Sequence, residues 1–251
     1  MATQGVKALC ESLTASQCAL EKLINQSLTH LCLSSNSLGR EGVNLLCRAI
    51  KLPSCGLQRL NECNLDVAGC GFLAFALMGN KRMTHLSLSM NPVEDDGMNL
   101  LCEVLMEPSC HLQDLEMVKC HLTATCCKKL SCVITRNKHL KSLDLAVNAL
   151  GDDGITALCE GLRHRRASVW RLGLEACGLT SGCCEALAAA ILGSQHLTSL
   201  NLMRNDLSPE GMTTLCLALA QPTCNLQIIG YLISRALLLE GLRKNRETTC
   251  K

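Results

Sequence analysis

Carboxylates, thiols and imidazoles are the side chains of this chain that could do chemistry. Glu116 and Asp144 lie 28 residues apart at the same point of a recurring phrase. That spacing places them on neighbouring strands, about 5 Å from each other. Two carboxyl groups so close could act as acid and nucleophile on a glycosidic bond. The chain has 20 cysteines, including Cys126-Cys127 and Cys183-Cys184, which raises disulfide or zinc chemistry. His30 and His85 share one column and could hold a metal if they were adjacent. Trp170 beside Arg171 combines two residue types that often anchor protein interfaces. Arg163-His164-Arg165-Arg166 is the densest basic run and could meet a nucleic acid.

The elements that position these residues recur. Leu140-Lys-Ser-Leu143-Asp-Leu145-Ala-Val-Asn148-Ala-Leu150 reads Leu-x-x-Leu-x-Leu-x-x-Asn-x-Leu. Related phrases begin at Leu28, Leu57, Met83, Leu112, Val169 and Leu197, and another opens at Leu226 and breaks off. Successive starts are 29, 26, 29, 28, 29, 28 and 29 residues apart. The ninth slot alternates: Asn36, Cys63, Asn91, Cys120, Asn148, Cys177, Asn205. The full unit is therefore a pair of repeats, 57 residues long from Asn91 to Asn148 and again to Asn205. Leu143 and Leu145 alternate as a short strand requires and point into the core, while Ser142 and Asp144 point away. Asn closes the strand because its amide both donates and accepts; Cys in that slot is a weaker donor. Gly154-Ile155-Thr-Ala157-Leu158-Cys159-Glu-Gly-Leu162 then spaces its apolar residues as a helix does. Helices are wider than strands, so stacking them on one side bends the array, with a parallel sheet on the concave face.

This frame decides most of the chemistry. Cys47, Cys102, Cys159 and Cys216 fill one helix slot, and Cys70, Cys127 and Cys184 another. A slot used once per repeat is a packing slot, and a free cysteine behaves as a small hydrophobe. So many free thiols point to a reducing compartment, the cytoplasm. No pair of Cys-x-x-Cys knuckles occurs, so no metal is expected. His30 and His85 stand two repeats apart, about 10 Å, too far for one ion. Glu116 and Asp144 face an open surface with no walls to exclude water, so they read as solvated side chains rather than a catalytic pair. A docking patch for a basic partner is the intermediate reading. Trp170 is read either as an interface anchor or as packed on the neighbouring strand's edge. The run from Arg163 ends a helix, where cations suit the dipole. Aromatics are 2% of the chain, so nucleic acid is not expected as a partner. Net charge is +2, which implies no strong field of either sign. The first residues have no signal-peptide pattern, and the apolar runs are too short to span a membrane; a soluble protein is expected.

Two irregularities interrupt the rhythm. Leu20 to Leu28 is 8 residues where about 29 is the rule, so residues 1–27 read as incomplete N-terminal repeat(s). At Leu57-Gln-Arg-Leu60-Asn-Glu-Cys63 the phrase is two residues short, which predicts a strained or shortened strand lacking its second inward Leu. Repeats fill 28–230. Residues 231–251 read as a divergent C-terminal helix and tail.

The alternating Asn and Cys phrases, the 28/29 rhythm and Leu-Cys-Glu-Gly-Leu at 158–162 resemble the ribonuclease-inhibitor class of leucine-rich repeats. Pro-Ser-Cys at 53–55 and 108–110, and Asn-Leu-Gln-Ile-Ile-Gly at 225–230, resemble the C-terminal repeats of the NACHT, LRR and PYD domain-containing proteins. The resemblance implies a right-handed β-α horseshoe, parallel sheet inside and helices outside. Against that resemblance, the missing repeat body and the altered tail read as a truncated member or isoform of the family, a fragment, or the product of a degraded gene copy. The resemblance further implies repeats that sense or bind partners, in innate immunity and inflammasome regulation or as a scaffold in oocytes and early embryos. No Gly-x-x-x-x-Gly-Lys-Ser/Thr loop occurs in the chain, so no nucleotide cofactor is expected. The expected function is non-enzymatic protein binding on the concave face, with no small-molecule substrate. The residues expected there are His30, Arg59, His85, Asp114, Glu116, Asp144, Trp170, Arg171, Glu175, Asn201 and Arg204. Two rival expectations are an inhibitor capping a basic ribonuclease, which wants a strongly acidic face and a longer array, and a truncated product without function.

Overall fold

The computed structural model of the protein describes residues 31–32, 34–35, 38–50, 57–81 and 83–230. His30, Asn36, the incomplete repeats expected at 1–27 and the helix and tail expected at 231–251 lie outside the described residues. Two compact units are distinguished, one within 1–122 and 139–143, the other within 123–138 and 144–251.

In the first unit, β1 (Leu31–Cys32), α1 (Gly39–Ile50), β2 (Leu57–Arg59), α2 (Val67–Leu77), β3 (His85–Ser87), α3 (Glu94–Leu105) and β4 (Asp114–Glu116) alternate. The second contains α4 (Ala124–Arg136), α5 (Gly151–Leu162), β6 (Arg171–Gly173), a 3-10 turn (Ser181–Cys183) running into α6 (Cys184–Gly193), β7 (Ser199–Asn201), α7 (Ser208–Leu219) and β8 (Ile228–Gly230). The division falls within β5 (Ser142–Asp144). Strands β1–β4 pair in parallel, with His85 opposite Asp114, Leu86 opposite Leu115 and Ser87 opposite Glu116. Strands β6–β8 do the same, with Leu172, Leu200 and Ile229 in one row. The inward residues Leu86, Leu88, Leu115 and Met117 of the first unit are buried, as are Leu145, Leu172, Leu174, Leu200 and Leu202 of the second. One hydrogen bond repeats along each seam. The second inward residue donates its N–H to the next strand: Leu60 to Ser87, Leu88 to Glu116, Leu145 to Gly173, Leu174 to Asn201 and Leu202 to Gly230, at 2.7–2.9 Å.

That bond corrects the expectation for β2. Leu60 fills the second inward slot and is fully buried, so the inward residue is not missing. The shortfall is taken up earlier: Leu57 pairs with Leu31 and Arg59 with Cys32, a register shift that passes over Gln58. Arg59 therefore lies opposite Ser87, not opposite His85.

The ninth-slot residues tie repeat to repeat. Asn91 Nδ2 donates to the carbonyls of Leu60 and Leu88, both at 2.7 Å, and its Oδ1 accepts from the N–H groups of Cys63 and Leu65. Asn205 does the same with Leu174, Leu202, Cys177 and Leu179. Asn148 donates to Leu145 and Ala146 within its own turn. The Cys120 and Cys177 thiols donate to the preceding repeat's carbonyls, Leu88 and Leu145, both at 3.3 Å. Cys63 donates to the Asn61 carbonyl at 3.4 Å.

Helix starts differ by repeat type. After Cys63, Cys120 and Cys177 the third residue is an extended side-chain cap: Asp66, Thr123 and Thr180 accept from backbone N–H groups. After Asn91, Asn148 and Asn205 the same slot holds Glu94, Gly151 and Ser208 in the left-handed region. Helices then approach closely through a Gly–Cys contact. A Cβ on Gly97, Gly154 or Gly211 would lie 3.1, 3.0 or 2.6 Å from the Sγ of Cys70, Cys127 or Cys184.

Candidate functional site

The solvent face of the first unit is built by the outward residues of three short strands. His85 opens β3 and Asp114 opens β4, directly opposite, and His85 Nε2 meets Asp114 Oδ2 at 2.7 Å. On its other side the ring meets Thr84 Oγ1 at 2.8 Å through Nδ1. One position further along, Arg59, Ser87 and Glu116 form a row across β2, β3 and β4. Arg59 and Glu116 are exposed, and Ser87 between them is 3% exposed. A small serine flanked by two long charged residues leaves a shallow hollow of about 70 Å³, lined by Arg59, His85, Leu86, Ser87, Asp114 and Glu116.

Hydroxyl, imidazole and carboxylate in sequence resemble an activated nucleophile in order. The side chains of His85 and Asp114 are 53% and 22% exposed, so water reaches the pair. An ion pair in that setting orients a surface rather than storing reactivity. Among the described residues no group of three His, Cys, Asp or Glu could hold a metal.

In the second unit small and large outward residues alternate. Asp144 lies in β5 and leans over Gly173 in β6, where a Cβ would collide with its Oδ1. Asn201 of β7 leans over Gly230 of β8 in the same way, its Oδ1 2.7 Å from where a Cβ would stand. Asp144 Oδ1 accepts from the Ala146 N–H at 3.0 Å. Asn201 Nδ2 donates to Glu175 Oε2 at 3.2 Å, and Glu175 Oε1 meets Arg204 Nε at 3.4 Å. The structure thus brings Asn201, Glu175 and Arg204 into one network. Trp170 is 49% exposed, and its carbonyl accepts from the N–H groups of Thr198 and Ser199. Arg171, which follows it, opens β6 and is exposed. Glu116 belongs to the first unit and Asp144 to the second.

Sequence reasoning missed three features. Ser87 is a floor, not an exposed contact; its flanking by Arg59 depends on the β2 shift. The rings of His111 and His139 stack with centroids 4.5 Å apart; both occupy the slot just before a strand phrase, a signal that was available. Asp152 accepts from both the N–H and the hydroxyl of Thr180. Burial would raise the Asp152 carboxyl, but the Thr180 hydrogen bonds outweigh it and hold the group below its ordinary range.

The thiols are packing residues chemically as well as spatially. Fifteen of the described cysteines are outside any disulfide, and twelve of these are buried. Burial pushes the thiols of Cys70 and Cys159 up to about 12, and those of Cys120 and Cys177 up to about 11. Groups so raised are not nucleophiles near neutral pH.

Parallel two-layer repeats with an Asn or Cys rung and a polar solvent face define a leucine-rich-repeat solenoid. A family model described as Leucine Rich repeat matches residues 25–47, 79–102, 136–159 and 193–216, each match starting just before an Asn-type strand phrase. The repeats are those of the NACHT, LRR and PYD domains-containing family. The chain is 64% identical over 249 residues to "NACHT, LRR and PYD domains-containing protein 5" of Homo sapiens, covering 90% of this chain and 21% of that protein. It is 63% identical over 252 residues to the protein 5 of Bos taurus, covering 92% and 23%. It is 41% identical over 248 residues to protein 14 of Homo sapiens, covering 90% and 23%. The chain spans about a fifth of the length of the curated relatives it matches. No described helix is long and apolar enough to cross a membrane.

Proposed function

We propose that the chain is a non-enzymatic protein-interaction module that binds its partner on the solvent face of its short strands. One observation carries this reading. Outward residues of β2, β3 and β4 line an open, charged hollow directly above a fully apolar seam. A rigid seam beneath variable polar side chains supports binding by many modest contacts. Glu116 and the Asp114–His85 pair favour a partner segment carrying basic side chains; Arg171, Glu175, Asn201 and Arg204 supply a second set of contacts. Neither set calls for a cofactor, metal, nucleic acid or membrane. Free, buried thiols support a reducing compartment and hence the cytoplasm. Kinship with the NACHT, LRR and PYD domains-containing proteins supports a regulatory or ligand-sensing role within innate immunity or as a scaffold of the oocyte and early embryo.

The test is affinity capture from cytosolic extract with the whole chain. Proteins held by the wild type should be lost with Asp114→Lys/Glu116→Lys and retained with Glu160→Lys, on an exposed helix face. Equal recovery by both variants would remove the strand face from consideration.

A further inference from the structure

The second unit separates its charges by edge. Strands β6–β8 run parallel and the helices return between them, so helix C-termini and strand starts share one edge, helix N-termini and strand ends the other. At the first edge Arg163, His164, Arg165 and Arg166 follow α5 and are all exposed, as is Lys138 after α4. Ser168 Oγ donates to the Asn137 carbonyl at 3.1 Å, which joins these two loops. Segments 136–138, 163–170, 193–198 and 220–227 contain no carboxylate, and the nearest along the chain is Glu160, inside α5. Among the described residues no ion pair engages Arg163, Arg165, Arg166 or Lys138.

At the opposite edge the sign reverses. Asp153, Glu185, Asp206 and Glu210 are exposed in, or just before, the first turns of α5, α6 and α7. The one cation in segments 145–153, 174–185 and 202–210 is Arg204, which Glu175 holds. Helix dipoles account for acids in first turns and for Arg163 at the cap of α5. They do not account for Arg165 and Arg166, which lie beyond the helix end where the dipole no longer reaches.

We propose that the chain associates head to tail with a second copy of itself, the basic edge of the second unit lying against the acidic edge of the next. The two edges are opposite in sign and are built from the same repeats. Their charges therefore follow the same helix spacing, about 10 Å, and come into register when one copy is set beside another. Such a contact joins two different patches, so it is heterologous and builds a ring or an open chain rather than a two-fold dimer. An exposed Trp170 at the start of β6 adds apolar area on the basic side. The proposal uses a different surface from strand-face docking and does not rest on it.

Sedimentation of the full chain tests it. At about 0.01 M salt, with a Debye length of about 30 Å, the mean mass should rise with concentration above the monomer's 27.1 kDa; at about 1 M it should return to the monomer. Arg163→Glu/Arg165→Glu/Arg166→Glu and Asp153→Lys/Glu185→Lys/Glu210→Lys should each abolish self-association. An equimolar mixture of the two should restore it, because every edge again faces its opposite. Circular dichroism melts establish that both variants are folded. A wild type that stays monomeric at low salt overturns the proposal, including the case in which it binds an RNA oligonucleotide instead, which would give the basic edge to nucleic acid. Variants that associate as the wild type does overturn it equally.

Discussion

Leu145 and Ser142 stand three residues apart in one phrase and meet opposite surroundings. Leu145 is fully buried in the seam, while Ser142 is partly open on the solvent face. Leu145→Ala should therefore cost about 2–5 kcal/mol. Ser142→Ala should cost less than about 0.5 kcal/mol. Urea denaturation of the two variants measures both, and equal effects would mean that inward and outward are misassigned. The inward leucines and the Asn or Cys rungs were legible because their chemistry repeats at a fixed interval. The reach of each rung was not: Asn91 serves the N–H groups of Cys63 and Leu65 in the preceding repeat, a contact that only stacking creates. The strand neighbour of Arg59 was not legible for a related reason. A two-residue shortfall can be absorbed at either end of a phrase, and hydrogen bonding to β3 decided which.

At the scale of elements, close helix packing depends on glycine. A Cβ on Gly211 of α7 would lie 2.6 Å from Cys184 Sγ and 3.1 Å from Ser181 Cα, so a sulfur and the backbone of the preceding turn must both yield. Gly211→Ala should destabilise the fold by about 1–3 kcal/mol. Gly71 of α2 is the control, since its added Cβ would meet only Leu100 Cδ1 at an ordinary 3.7 Å. Gly71→Ala should be neutral or stabilise by up to about 1 kcal/mol through helix propensity. Thermal melts of the pair distinguish a steric requirement from a general intolerance of alanine. Helix positions were legible from apolar spacing, and Gly154 to Leu162 falls inside α5. The alternation of side-chain caps with left-handed starts was not, because Glu94, Gly151 and Ser208 share no residue type.

At the scale of the whole molecule, free thiols make stability depend on alkaline pH. In the folded chain Cys70, Cys120, Cys159 and Cys177 titrate at about 11–12, above their ordinary value of 9.0. The unfolded chain releases these protons earlier, so the stabilisation is complete below pH 9 and is lost as pH rises through 11–12. Urea midpoints should be level between pH 7 and 8 and fall by pH 10. Exposed Cys132 should be the described cysteine alkylated first under native conditions. A midpoint unchanged at pH 10 would place these thiols outside the core.

The account rests on inward residues stacking strand upon strand, each sending its N–H to the next. Residue-resolved hydrogen exchange of the full chain tests that most directly. The amides of Leu60, Leu88, Leu145, Leu174 and Leu202 each donate to a neighbouring strand, and they should be protected well beyond that of Gln195, in an exposed loop position. Exchange of the five leucine amides at the rate of that loop position would contradict the stacked repeat.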